Sequence, residues 1–306
     1  NELISVNTKV VVCDFKEAFN EGYFANPNEI VDFIHPKDLE KYIENNNIEI
    51  IFHLGAISST TCNDGNRLWL NNILLSSKIW KWCATKKIRL IYASSAATYG
   101  NGELGFIDNN EISYINSLKP LNVYAWTKNE IDRRNIVLDK YFNYKPNQWV
   151  ALKFFNVYGP NESHKENMIS IALKTFQQIK KNTSTKLFKS YNKNYNDGEQ
   201  KRDFIYVKDC IKVLVWFMKH ANISGIFNVG TGISRTFNDL VSNVYKTMNK
   251  NINITYIDMP NNIKKQYQYK TKADINNLKN VGYQEPFYSL EEGIKDYIQN
   301  YLNKKI

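Results

Sequence analysis

The sequence predicts an open, doubly wound α/β sheet, and three observations carry that expectation. Strand-length apolar runs recur at residues 9–14, 48–53, 88–93 and 148–154. Helix-length stretches separate them, and strands alternating with helices build a parallel sheet covered on both faces. Finally, a run of hydroxyl-bearing residues follows the third strand, Tyr92-Ala93-Ser94-Ser95-Ala96-Ala97-Thr98-Tyr99-Gly100. The carboxyl end of a strand is where such sheets bind ligands.

Residues 9–14 form a strand that ends in an acid, Asp14. His35-Pro36-Lys37-Asp38 opens a helix reaching about residue 46, with proline suited to its first turn. Strand 48–53 is followed by Leu54-Gly55-Ala56-Ile57-Ser58-Ser59-Thr60-Thr61, then by a helix over about 66–85. After strand 88–93 comes a helix bearing Tyr124 and Lys128, and then strand 148–154. Asn156-Val157-Tyr158-Gly159-Pro160 reads as a turn. A helix is expected over about 167–180, a strand and polar loop over 186–200, a segment 201–207 leading into a helix, and a short strand 226–229. The last helix falls near 290–302. Residues 1–160, with about 203–232 returning to them, make a dinucleotide-binding Rossmann-like domain. Residues 161–202 and 233–306 make a smaller, substrate-binding α/β domain.

Dinucleotide-binding sheets begin with a strand, a G-x-G-x-x-G-like turn and a helix whose amino end receives the pyrophosphate. An acid on the ribose follows about 20 residues later. Asp14 suits that acid, but only residues 1–8 precede its strand, and the 13 glycines supply no such turn elsewhere. The expectation is a chain that starts late, lacking the first strand and the turn, so that the two strands flanking the gap lose hydrogen-bond partners. The plain alternative is a strand-terminal aspartate with no cofactor.

The 306 residues can bury a sizeable core, and 43% hydrophobic with 23% charged residues is ordinary for a soluble protein. No apolar run approaches the roughly 20 residues that span a bilayer, and no secretory leader opens the chain. A soluble, cytoplasmic protein is expected. The formal charge is +10. Its lysines are spread among Asn and Ile without a basic block, which argues against nucleic acid and suits a few cations meeting an anionic substrate. Cys13, Cys62, Cys83 and Cys210 show no C-x-x-C or zinc spacing, so neither a disulfide nor a metal is expected.

Tyr124 and Lys128 stand four apart and share one helix face. A free phenol has a pKa of about 10. An ammonium held beside it favours the phenolate, and a serine hydroxyl from the strand end can hold the substrate oxygen while the phenolate takes its proton. Taken alone, Tyr-x-x-x-Lys is equally an ordinary helix surface.

With these residues together, the chain resembles the extended short-chain dehydrogenase/reductases and, more narrowly, the ADP-L-glycero-D-manno-heptose 6-epimerase family. The resemblance runs from Asp14 to the last helix. Its marks are His53-x-Gly55-Ala56-x-Ser58-Ser59-Thr60-Thr61, the 92–100 run, Pro120-Leu121-Asn122-Val123-Tyr124, Phe155-Asn156-Val157-Tyr158-Gly159-Pro160-x-Glu162-x-His164-Lys165, and Arg202-Asp203-Phe204-x-Tyr206-Val207. It implies oxidation of a sugar carbon to a transient ketone, rotation of the sugar and reduction on the other face. Tyr124, supported by Lys128, would serve one face and Lys165 the other, with Ser95 holding the reacting oxygen. By the same resemblance Asp14, Phe15, Lys37, Leu54, Gly55, Ala56, Ile57, Ser58, Asn71, Lys128 and Val157 would meet the cofactor. Asn156, Asn167, Lys174, Phe188, Ser190, Arg202 and Tyr267 would join Ser95 on an ADP-heptose nucleotide sugar. His53 reads as a packing residue. NADP is the cofactor expected from the family, whereas an acid at Asp14 favours NAD on general grounds. A homo-oligomer is also implied.

Two departures stand out. The family's small Gly-Ser pair is replaced by Phe188-Lys189-Ser190-Tyr191, with a long run to Lys201, and Asn167 stands where the family has a substrate serine. Competing expectations are a 4-epimerase or 4,6-dehydratase on another nucleotide sugar, and a non-catalytic fragment. Ala96 and Ala97, where dehydratases place acids, weigh against dehydration.

Overall fold

A computed structural model describes residue 3 and residues 9–15, 32–264 and 266–304, with the side chains of Glu166, Asn167 and Asn262 outside the description. The centre is a four-stranded parallel sheet made of β3 (Ile50–His53), β4 (Arg89–Ser95), β5 (Trp149–Phe154) and β9 (Gly225–Val229), in the order β3-β4-β5-β9. Side chains alternate across it, as strand geometry requires. Leu90, Tyr92, Trp149 and Ala151 enter one apolar cluster with Trp80 and Ile131; Ile91, Val150 and Leu152 enter another with Val213 and Phe217. The sheet is therefore covered on both faces, which is the predicted doubly wound arrangement.

The helices of the first face are residues 65–86 and Val123–Phe142. Within residues 65–86, Trp69–Leu74 form a π turn, a distortion frequent near functional sites. There Asn72 and Ile73 are buried while Trp69, Leu70 and Leu74 face outward. The opposite face is covered by the Val207–Lys219 helix, whose Val213, Leu214 and Phe217 are buried. A second lobe packs the helices Ile171–Lys180, Phe237–Thr247 and Leu290–Tyr297 over its own cluster, which includes Leu173, Phe204, Val241 and Ile294.

Several short strands were not legible in the sequence, among them Asp32–Ile34 and Asn156–Tyr158. β2 (Asp32–Ile34) exists only through its parallel pairing with β1 (Val11–Cys13). That pair is a sheet of its own, and among the described residues no strand stands between β1 and β3. Residues 156–158, expected as part of a turn, form β6 (Asn156–Tyr158), which runs parallel to β8 (Lys201–Tyr206). Burial of Tyr158 against Tyr206, with ring centroids 5.4 Å apart, outweighs the local turn signal. The chain turns one residue later at Gly159, whose φ of +145° strains any side chain, and a Cβ there would sit 2.5 Å from Val207. In the second lobe β7 (Thr185–Phe188) pairs with β11 (Ile254–Ile257), and β10 (Ser234–Thr236) runs antiparallel to β8.

Candidate active site

The carboxyl end of β4 and the first turn of the Val123–Phe142 helix meet at the predicted proton-handling group. Ser95 ends its strand extended, and its Oγ accepts from the Ala97 N–H at 3.1 Å, which starts the Ala96–Tyr99 turn. Asn122 caps the helix by accepting from the Ala125 N–H at 2.9 Å. The cap fixes where Tyr124 enters, and Tyr124 and Lys128 are both buried. The Ser95 hydroxyl interacts with the Tyr124 phenol and favours its ionised form.

One sequence expectation is corrected here. Tyr124 does not have a lowered pKa; burial raises it, Asp132 adds to the rise, and Ser95 alone opposes. Lys128 Nζ donates to the Ala93 carbonyl at 2.7 Å. Burial also lowers the Lys128 ammonium to about 8, with Asp132 opposing. At the end of β3, burial and the Lys128 charge push His53 down to about 3. Its Nε2 lies 2.9 Å from Ser76 Oγ, as suits a neutral packing residue.

Beneath the triad lies a network that the sequence reading missed. Asp132, one turn beyond Lys128, is completely buried and accepts from Ser94 Oγ at 2.6 Å, Tyr92 OH at 3.1 Å and Lys153 Nζ at 2.8 Å. Lys153, equally buried in β5, also donates to Thr98 Oγ1 at 2.6 Å and lies 4.9 Å from the centre of the Tyr99 ring. The ion pair joins helix, β4, β5 and the Ala96–Tyr99 turn around the triad. Two signals for it were present: Tyr124, Lys128 and Asp132 recur every four residues, and Lys153 interrupts a buried apolar strand, where a charge needs a partner.

Most of the residues expected to meet the cofactor follow the ends of β1 and β3 in the chain. Asp14 follows β1, and its Oδ1 accepts from the Phe15 N–H at 2.8 Å. Phe15 is exposed and meets His35 edge-on at 5.4 Å. Lys37 lies in the Pro36–Asp38 turn. After β3, Leu54 is exposed, and a Cβ added at Gly55 would meet nothing within 4 Å. The Leu54–Ser58 loop is held by Asn72, which accepts from the Ile57 N–H at 2.9 Å and donates to the Ile57 carbonyl at 3.0 Å and Thr127 Oγ1 at 3.1 Å. Asn71, the predicted contact, instead turns its amide onto the Arg67 carbonyl of its own helix at 2.8 Å. Val157 is half-buried in β6.

The predicted substrate residues lie on the second-lobe side. Lys165 is exposed in the Ser163–Met168 turn, and no described hydrogen bond or ion pair links it to the triad. The Asn167 side chain lies outside the described residues. Lys174 is half-buried on the Ile171–Lys180 helix, within reach of the Glu162 charge. Phe188 ends β7; Ser190 Oγ donates to the Asn192 carbonyl and accepts from the Asn192 N–H, so it shapes its own loop. Asn156 is exposed at the start of β6, with Thr271 Oγ1 3.5 Å away. Arg202 is 7% exposed, and the rings of Tyr267 and Phe237 lie 5.0 and 5.5 Å from its guanidinium carbon. Neighbouring Asp203 does not pair with it, since successive residues of a strand point to opposite faces. Asp203 accepts from Thr231 N and Oγ1 and from the Gly232 and Ala273 N–H groups instead. Among the described residues no carboxylate pairs with Arg202. A buried, aromatic-flanked guanidinium with this surplus of donors suits an anion.

The model of the NAD dependent epimerase/dehydratase family matches residues 3–230. The chain belongs to this family. An ADP-L-glycero-D-manno-heptose-6-epimerase of Fusobacterium nucleatum is 44% identical over 289 residues, covering 90% of this chain and 85% of its own. Another so named, from Brachyspira hyodysenteriae, is 40% identical over 277 residues, covering 88% and 82%. Among solved structures, the Helicobacter pylori protein of the same name matches with a TM-score of 0.73 at 28% identity, covering 98% of this chain and 90% of its own. A UDP-N-acetylglucosamine 4-epimerase from Methanobrevibacter ruminantium matches with a TM-score of 0.82 at 25% identity, covering 99% and 93%.

Family membership brings a nicotinamide cofactor, and the strand-end residues fit one. Asp14 offers acceptor atoms for ribose hydroxyls, the open face of Gly55 allows close approach of a ligand, and Lys128 directs only one of its three donors at Ala93.

Proposed function

We propose that this chain is a nucleotide-sugar epimerase that inverts C6 of ADP-glycero-manno-heptose, D-glycero to L-glycero, with NADP as cofactor, in making the heptose of lipopolysaccharide core. Identity of 40–44% over about nine-tenths of the chain to relatives of that name carries the reading. When bound, the nicotinamide would accept a hydride from C6 and return it to the opposite face of the resulting ketone. Ser95 holds the C6 oxygen and Tyr124 moves its proton on one face, while Lys165 does so on the other. Lys128 supports the Tyr124 phenolate and meets the cofactor ribose. Arg202 takes the diphosphate, and Tyr267 lies beside it. Asn156 faces the sugar. Asp14 and the Leu54–Ser58 loop hold the cofactor.

NADP is taken from the resemblance, and the nucleotide released when purified protein is denatured separates it from NAD. Among the described residues no helix is long and apolar enough to cross a membrane; a cytoplasmic location and a homo-oligomer belong to the proposal, and light scattering tests the latter. Proton NMR of the product from the D-glycero substrate tests the reaction. Tyr124→Phe should lower kcat by about 10³-fold, within the range for a lost acid/base; full rate in that variant sinks the role given to Tyr124. The structural match to a 4-epimerase favours a second reading, inversion at C4 of a UDP-sugar. Turnover of UDP-sugars and not of ADP-heptose would establish it.

A further inference from the structure

The residues 159–170 that carry Lys165 are closed by one buried carboxylate. Glu162 Oε1 accepts from Ser170 Oγ at 2.6 Å, from Tyr297 OH at 3.1 Å and from the Gly159 N–H at 3.4 Å; Oε2 accepts from the Ser170 N–H at 2.6 Å. Gly159 and Ser170 are the two ends of the segment, so the carboxylate joins its entry to its exit. Glu162 is 5% exposed. Its own carbonyl accepts from the Lys165 N–H at 3.0 Å, which sets the turn bearing the lysine. Both ends have little freedom to adjust. Gly159 sits in a conformation that only glycine adopts without strain. Ser170 caps the Ile171–Lys180 helix, its Oγ accepting from the Leu173 N–H at 3.2 Å. That helix end favours a negative charge beside it. Tyr297 lies on the Leu290–Tyr297 helix and anchors the clamp in the second-lobe core.

The four groups hydrogen-bonded to Glu162 all donate to it, and its two carboxyl oxygens take all four bonds. We propose that Glu162 is a positioning residue for Lys165, holding residues 159–170 in the one conformation that keeps the Lys165 ammonium over the sugar. This rests on the reading of Lys165 as the second acid/base. It adds that the second face of the reaction depends on a clamp three residues away, which touches neither sugar nor cofactor.

If Tyr124 and Lys165 serve opposite faces, oxidation of the two C6 epimers begins at different residues. Rapid mixing of holoenzyme with each epimer, followed by the absorbance of reduced nicotinamide, measures the two steps separately. Lys165→Met should slow one epimer far more than the other. Glu162→Gln puts an amide donor among donors at unchanged size, and should slow the same epimer by about 10–10²-fold, the scale expected of a displaced catalytic group. KM should stay within about threefold. Tyr297→Phe removes one of four donors and should give a smaller loss on that epimer, which keeps the test open if Glu162→Gln folds poorly. Amide hydrogen exchange in the substrate-free protein should quicken within residues 160–169. Equal slowing of both epimers, a change confined to KM, or unchanged rates in the Glu162 and Tyr297 variants would overturn the proposal. If Lys165→Met leaves both epimers unaffected, the reading of Lys165 falls first and the clamp's role with it.

Discussion

The two sides of the candidate site bury their carboxylates in different ways. Under the triad, Asp132 meets a cation, Lys153, and both are completely buried. On the second-lobe side, Asp203 and Glu162 are met by hydroxyls and backbone N–H groups. An ion pair in the sheet core joins elements that are rigid already and fixes the charge felt by Tyr124 and Lys128. Neutral donors supply the hydrogen bonds to Asp203 and Glu162, which lets each tie turns together, while Lys174 acts on Glu162 through its charge. The side that tunes proton affinity is built on a fully buried ion pair, and the side that shapes loops on hydrogen bonds from hydroxyls and backbone N–H groups.

The largest effect should come from breaking the ion pair on one side only. Lys153→Met leaves Asp132 buried without its cation, which typically costs about 3–5 kcal/mol. The urea midpoint should fall sharply, and exchange of Asp132 as well, to Leu, should recover most of the loss. A Lys153→Met protein as stable as the parent would show that Ser94 and Tyr92 satisfy Asp132 unaided, and the contrast between the two sides would disappear.

Asp203→Asn should cost less, about 1–3 kcal/mol, since an amide group then faces backbone donors in place of one acceptor oxygen. The turn it ties leaves no slack: a Cβ on Gly230 would lie 2.9 Å from Asp203 Oδ2 and 2.7 Å from the Ala273 Cβ. Because Arg202 is the adjacent residue, the variant should also raise KM for the nucleotide sugar several-fold while kcat changes little. A fall in kcat at constant KM would place Asp203 with the chemistry, against the division drawn above.

Which features were legible in the sequence follows the same division. Tyr124 and Lys128 announce themselves by helix spacing, and Ser95 by its place after an apolar strand. Asp132 continues that spacing, yet a carboxylate in mid-helix looks like solvated surface until Lys153 is placed opposite it, and that placement depends on the register between β4 and β5. Arg202 and Asp203 look like an adjacent pair, but the strand sends them to opposite faces. β6 was hidden because its three residues are strand only through pairing with β8, 48 positions away at Asn156↔Phe204. Local pattern reports helix faces and strand ends; it is silent where long-range pairing supplies the partner.

The smallest perturbation tests the triad side by the sign of a pH effect. Lys128 is protonated below about 8 and neutral above it, held down by burial against the pull of Asp132. His53, facing it from β3, is neutral throughout the working range and adds no limb of its own. A phenol acting as base gives activity that rises with pH, whereas an ammonium that supports it gives activity that falls as pH passes about 8. The two contributions have opposite signs, so kcat/KM should pass through a maximum with its alkaline limb near 8. Lys128→Arg keeps the charge at every accessible pH. Its larger, planar head should lower the plateau by on the order of 10-fold and erase the alkaline limb. A limb that persists unchanged in Lys128→Arg would belong to another group, and the ammonium's electrostatic support of Tyr124 would have to be given up.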